Sequence, residues 1–102
     1  MGVRYILITE TLAQKENLPV TYGAWIRPGQ NGEAAVTPGS AAEAAGVLSL
    51  DILLEMNGER ITQENSLAKI IQQYDPGDSV VLKVLRDGQE KILNAALGES
   101  SQ

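Results

Sequence analysis

Few side chains in this sequence could do chemistry, and their spacing closes most of the routes open to them. The chain has no histidine and no cysteine, so nucleophilic systems that need an imidazole titrating near neutrality are excluded. Ser66 and Lys69 share one helix face and form the remaining nucleophile and base pairing; a solvated surface pair accounts for them, and no catalytic role is assigned. Asp51 and Glu55 are the carboxylate pair to weigh for glycoside hydrolysis. On a strand they would point to the same face, and charges bordering a buried strand read as a solvated edge. An oxygen-only calcium site wants a dense acidic loop, and "GQNGE" (29–33) has too few charges. Gly29 and Gly32 lack the third glycine and following helix of a dinucleotide fingerprint, and there is no Walker sequence. The expectation is therefore no catalytic residue, no metal site and no cofactor.

Composition narrows the partners as well. A chain of 102 residues and 10.9 kDa, 43% hydrophobic and 21% charged with mean hydropathy -0.10, has the profile of one soluble globular domain. Its formal charge of -5 repels phosphate backbones and anionic headgroups, which predicts neither nucleic acid nor membrane as a partner. No run approaches the ~20 apolar residues of a membrane span, and "MGVRYILITETL" lacks the pattern of a signal peptide.

The elements that must position any site follow from pattern and punctuation. "VRYILI" (Val3 to Ile8) reads as a strand with Val3, Tyr5 and Leu7 on one face and Arg4, Ile6 and Ile8 on the other, both apolar enough to predict burial on each side. Thr9 is a candidate N-cap for a helix over Glu10 to Glu16. "YGAWIR" (Tyr22 to Arg27) is a second strand, and "PGQNG" is expected to turn the chain into a hairpin returning as "EAAVT". "PGSAAEAAG" supplies an N-cap at Ser40, five good helix formers and a closing Gly46. "LDILLEMNGERI" is a buried strand turning at Asn57-Gly58, and Asn65 to Tyr74 is expected to be the longest helix. Two last strands surround Asp87-Gly88, before a polar tail over 98–102. The sum is a small α+β domain over 1–97: about six strands, mostly antiparallel, closed as a partly open barrel and capped by two or three short helices.

"TPGSAAEAAGVLSLDILLEMNGERI" and "YDPGDSVVLKVLRDGQEKIL" resemble bacterial PDZ domains, most closely those that follow the protease domain in HtrA-type trypsin-like serine proteases. With "MGVRY" and "LPVTYGAW" in order, the resemblance runs over Met1 to Leu97. It implies the capped, partly open barrel reached above, with the alanine helix as close-packing scaffold. It also implies a non-catalytic module that binds the C-terminal end of a partner as an added strand, with the terminal carboxylate held by backbone N–H groups of a short loop.

On that resemblance Met1, Gly2, Val3 and Arg4 supply the carboxylate cradle, following an apolar-Gly-apolar step that the family precedes by a further residue. Val3 to Ile8, with Tyr5, is the strand offered to the ligand. The facing helix carries Leu67, Ile71 and Tyr74 as a core-like stripe, with Ala68 and Gln72 beside it where the groove runs and Ile71 bordering both. A groove without histidine at the helix start implies hydrophobic C-termini as ligands. The implied partners are C-terminal peptides of unfolded or processed proteins and an attached protease domain, and the implied compartment is periplasmic or extracytoplasmic. Two departures stand out: Leu50-Asp51 where the family often has glycine before the aspartate, and "RPGQNGEAA", longer than the direct strand passage common in the family. A rival class is a structural domain that mediates self-assembly through an exposed sheet edge, without free peptide ligands.

Overall fold

In the computed structural model, which describes residues 1–97, six strands and three helices follow one another as β1 (Tyr5–Leu7), α1 (Glu10–Glu16), β2 (Ala24–Ile26), α2 (Ala41–Ala45), β3 (Ile52–Met56), β4 (Glu59–Arg60), α3 (Leu67–Ile71), β5 (Ser79–Arg86) and β6 (Gln89–Ala96). The tail expected over 98–102 lies outside the described residues. All strand pairings are antiparallel, in the order β1-β2-β3-β5-β6 with β4 paired to β3, so the sheet is open and β1 lies at its edge. This is the expected α+β arrangement with three caps.

Local chemistry explains most boundaries. Thr9 accepts from the Leu12 amide at 3.0 Å to start α1, and Asn17, left-handed at φ 58, ends it. Ser40 and Glu43 close α2 reciprocally: Ser40 Oγ accepts from Glu43 N, and Glu43 Oε1 accepts from Gly39 N at 2.8 Å. The Asn57-Gly58 and Asp87-Gly88 turns take positive φ at both residues, the twist that suits a tight hairpin.

The longer strand passage is where the expected hairpin fails. Residues after Pro28 do not return along β2. Arg27 N donates to Arg4 O at 3.0 Å, Arg4 N donates to Ala35 O at 2.8 Å and Thr37 N donates to Gly2 O at 2.8 Å, with Val3 bridged to Val36. The segment over 35–37 thus resumes the β2 line along the same side of β1, and 28–34 is an excursion looped out of it. The sequence signal, a proline and two glycines, marks the excursion tip without saying which strand takes up the chain afterwards.

Three further expectations are corrected. α3 is shorter than Asn65 to Tyr74, and α1 is the longest helix; Asn65 is held instead in a side-chain turn, its amide donating to Thr62 Oγ1 at 3.0 Å. The initial strand is not buried on both sides, since Ile6 is 47% exposed at the sheet edge. Asp51 is not a solvated edge: it is 1% exposed in the turn before β3, while Glu55 pairs separately with Lys83 at 3.7 Å.

Two hydrophobic clusters lie on either side of the sheet. The larger gathers Ile26, Leu53, Met56, Leu67, Ile70, Leu82 and Val84, with Val3, Tyr5, Leu7, Ile71 and Tyr74 packed half-buried against it. The smaller joins Ile8, Ala13, Trp25, Ile52 and Leu54 beneath α1. β1 therefore sends its odd side chains to one cluster and Ile8 to the other, which is the period-two alternation of a strand.

Candidate functional site

The edge of β1 is the feature that could accept another chain. Arg4, Ile6 and Ile8 face β2, as shown by the bonds at Arg4 and by Ile8 N donating to Gly23 O at 2.9 Å. In an antiparallel ladder the intervening residues point their amides and carbonyls the other way. Val3, Tyr5 and Leu7 thus present backbone donors and acceptors on a side where no strand of the described residues pairs with them. A row of backbone groups with their side chains already anchored in the core is a ready template for strand addition.

The start of this strand is tightly built. Gly2 has φ +84, and a Cβ there would stand 2.3 Å from Ser40 Cβ and 2.7 Å from Ser40 Oγ, so both conformation and space require glycine. Met1 O accepts from the Ala42 amide at 3.0 Å in the first turn of α2. The alanine helix therefore does more than fill a gap: its N-terminal turn buttresses the Met1-Gly2 segment, and its own other side packs on β6 with Ala42 fully buried. Ser40 and Ala42 were not legible as site residues; the small residue facing a glycine across 38 positions leaves no local pattern.

α3 shares the larger cluster with β1. Leu67 and Ile70 are its buried residues, so the core reading of Leu67 holds; Ile71 is half-buried, and Ala68 and the C-cap Gln72 are exposed. Ser66 Oγ is occupied as the N-cap, accepting from Lys69 N, while Lys69 Nζ donates to the Glu64 carbonyl at 3.3 Å. That pair is structural. The end of α3 is tied down by Tyr74, whose hydroxyl accepts from Asn57 Nδ2 at 3.1 Å, and Asn57 Oδ1 accepts in turn from Val81 N at 2.7 Å. Asn57 thus turns the hairpin and anchors the helix at once, a second role the Asn-Gly signal does not display.

Charge around the edge is uneven. Arg4 is exposed, and Arg27 lies across from it with its guanidinium 4.3 Å over the Trp25 ring. In the excursion, Glu33 Oε1 accepts from Asn31 N at 3.1 Å, and backbone hydrogen bonds at Glu33 and Asn31 hold the Glu33 carboxyl below its ordinary range. Among the described residues no group of three or more acidic side chains could hold a metal ion, and no helix is long and apolar enough to cross a membrane.

Known proteins share this arrangement. A family model described as PDZ domain matches residues 1–97. A relative from Marinomonas sp., named "Probable periplasmic serine endoprotease DegP-like", is 35% identical over 97 residues, which are 95% of this chain and 19% of the relative. The chain spans about a fifth of the length of the curated relatives it matches. Among solved structures, the HtrA-type protease AlgW with a decapeptide matches at TM-score 0.71 and 26% identity, over 95% of this chain and 28% of that one. The HtrA3 PDZ domain bound to a phage-derived ligand matches in fold at TM-score 0.72 and 22% identity, over 94% of this chain and 81% of that one.

Proposed function

The chain belongs to the PDZ domain family, of the kind carried by HtrA-type serine proteases, and from that premise we propose that it captures hydrophobic C-termini by strand addition to β1. The observation that carries this is the open β1 edge, with Val3 and Tyr5 backbone groups unpaired and their side chains anchored in the core cluster that also holds α3. A peptide running antiparallel to β1 places its terminal residue opposite Val3, the penultimate one opposite Arg4 and the third from the end opposite Tyr5. The terminal and third side chains then turn toward Ile71 and Ala68. The Arg4 amide is already given to Ala35 O, which removes it from the cradle expected over Met1 to Arg4, and the terminal carboxylate meets the amides at Gly2 and Val3, a segment that Gly2 fixes against Ser40. A decapeptide accompanies AlgW in its solved structure, which supports a peptide as the ligand class here.

In this reading the domain recruits unfolded or processed proteins for a protease domain joined to it in a longer chain. It makes no bond and breaks none; its contribution to proteolysis is to bind and orient.

Hydrogen exchange resolved by residue tests the strand addition. The amides of Arg4, Ile6 and Ile8 should be protected in the free protein because they face β2, whereas those of Val3 and Tyr5 should exchange fast. Adding a peptide with a hydrophobic C-terminus should protect Val3 and Tyr5 selectively. Unchanged exchange at both under saturating peptide contradicts the proposal, and protection that grows with protein concentration alone supports self-assembly through the same edge.

A further inference from the structure

The face of the sheet turned away from the larger core cluster carries Arg4 on the β1 line and Arg27 at the end of β2, across from it. Tyr5 opposes Ile26 in the β1–β2 register, and the next step, Arg27 N to Arg4 O at 3.0 Å, sets Arg27 directly across from Arg4. Like charges in that position repel and destabilise a sheet. Neither guanidinium forms an ion pair among the described residues, where the carboxylate partners are Glu55 for Lys83 and Asp51 for Arg86. Arg27 Nε is buried with no hydrogen-bond partner, and its guanidinium is fixed in place over Trp25. Arg4, Ile6 and Arg27 also line an open cleft of about 350 Å³ that reaches the free side of β1 through Val3 and Tyr5. Glu33 lies near enough for Arg4 to help hold its carboxyl low, but makes no ion-pair contact with either arginine, so two cations stand against one carboxylate and the patch is locally positive in a protein of net charge -5.

We infer that this pair reads the penultimate residue of the ligand and selects a carboxylate there. The inference rests on strand addition to β1 as proposed above. In an antiparallel pair, residues directly opposite each other put their side chains on the same face of the sheet. The ligand residue opposite Arg4 therefore stands beside the Arg4 and Arg27 side chains, while its neighbours on either side turn into the groove. A glutamate or aspartate there relieves the repulsion between the two arginines; a lysine adds a third cation. The terminal and third residues set hydrophobic affinity, and the penultimate one sets charge preference.

The test uses labelled peptides with a free carboxylate that end in valine and differ only in the penultimate residue: glutamate, glutamine or lysine. Exposed ion pairs are modest, so glutamate should bind about threefold more tightly than glutamine and about tenfold more tightly than lysine at low salt, with the gap narrowing at 0.5 M salt, where the Debye length falls to only a few ångströms. In Arg4→Glu the ratio between glutamate and lysine peptides should invert, and in Arg27→Gln it should shrink. Arg4→Glu changes an exposed side chain and keeps the experiment decisive if Arg27→Gln, which loses the stack on Trp25, fails to fold. Equal affinity for the three peptides overturns the inference and leaves strand addition standing, as does a glutamate preference that persists unchanged in Arg4→Glu. Absence of binding by all three overturns strand addition and the inference together.

Discussion

Leu50 sits at φ 74 with 58% of its surface exposed, a left-handed backbone that costs a residue with a Cβ about 1–2 kcal/mol and recovers little through packing. The sequence already points to this position, because the resemblance sets glycine there and a leucine in its place has either to strain or to cover core. The exposure decides for strain. Leu50→Gly should therefore leave the melting temperature unchanged or raise it by a few degrees, the gain in backbone ease outweighing the ~0.5–1 kcal/mol of added chain entropy in the unfolded state. A fall of several degrees in a thermal melt would mean that the leucine side chain contributes packing after all. The neighbouring residue departs from the solvated edge its charge predicts, for a physical reason. Asp51 has no apolar signature, yet its carboxylate takes the Arg86 guanidinium at both oxygens, at 2.8 and 2.7 Å, and the Leu48 amide at 2.9 Å. Arg86 Nη2 also donates to Gly46 O at 2.8 Å, and the Asp51 hydrogen bonds push the already high Arg86 pKa further up. The partners lie 35 positions apart, beyond any local pattern. Asp51→Ala should cost about 3 kcal/mol, the low end for breaking a buried pair because Arg86 keeps some contact with water; chemical denaturation reads it, and a loss below about 1 kcal/mol would show the pair to be dispensable.

At the scale of elements, the helix caps and glycine turns were legible because their determinants are local: Thr9 and Ser40 cap the helices their neighbours predict, whereas Ser66, expected inside a helix beginning at Asn65, turns out to be the N-cap of the shorter α3. What was not legible depends on where a strand goes next. The 28–34 excursion and the return at 35–37 hinge on backbone bonds to Gly2 and Arg4, and no residue type marks them. The site inherits this division. Val3, Tyr5 and Ile71 fall where the sequence places them, half-buried on the larger cluster, whereas the buttress of Gly2 by Ser40 emerges only in three dimensions. α3 offers the sharpest test of the groove, since Ala68 is exposed beside half-buried Ile71. Ala68→Glu should preserve the melt, because a helix surface accepts glutamate at small cost, and should weaken a hydrophobic-ended peptide at least tenfold by leaving a carboxylate unpaired in an apolar groove. Equal affinity in both proteins would move the ligand off this helix face.

For the molecule as a whole, an open sheet with β1 and β6 at its edges, two hydrophobic clusters and a net charge of -5 support the proposal that the domain holds an added strand at β1. Recognition of the end of a chain, as proposed, turns on the carboxylate. Charge-assisted hydrogen bonds are worth roughly 1.5–3 kcal/mol each, against about -8 kcal/mol in all for a micromolar peptide. The most direct measurement is a calorimetric titration of one hydrophobic-ended peptide in two forms, with its C-terminus free and amidated. Binding of the free form with most measurable affinity lost on amidation is the expected result; indistinguishable affinities would contradict it and leave Gly2 as a turn residue only.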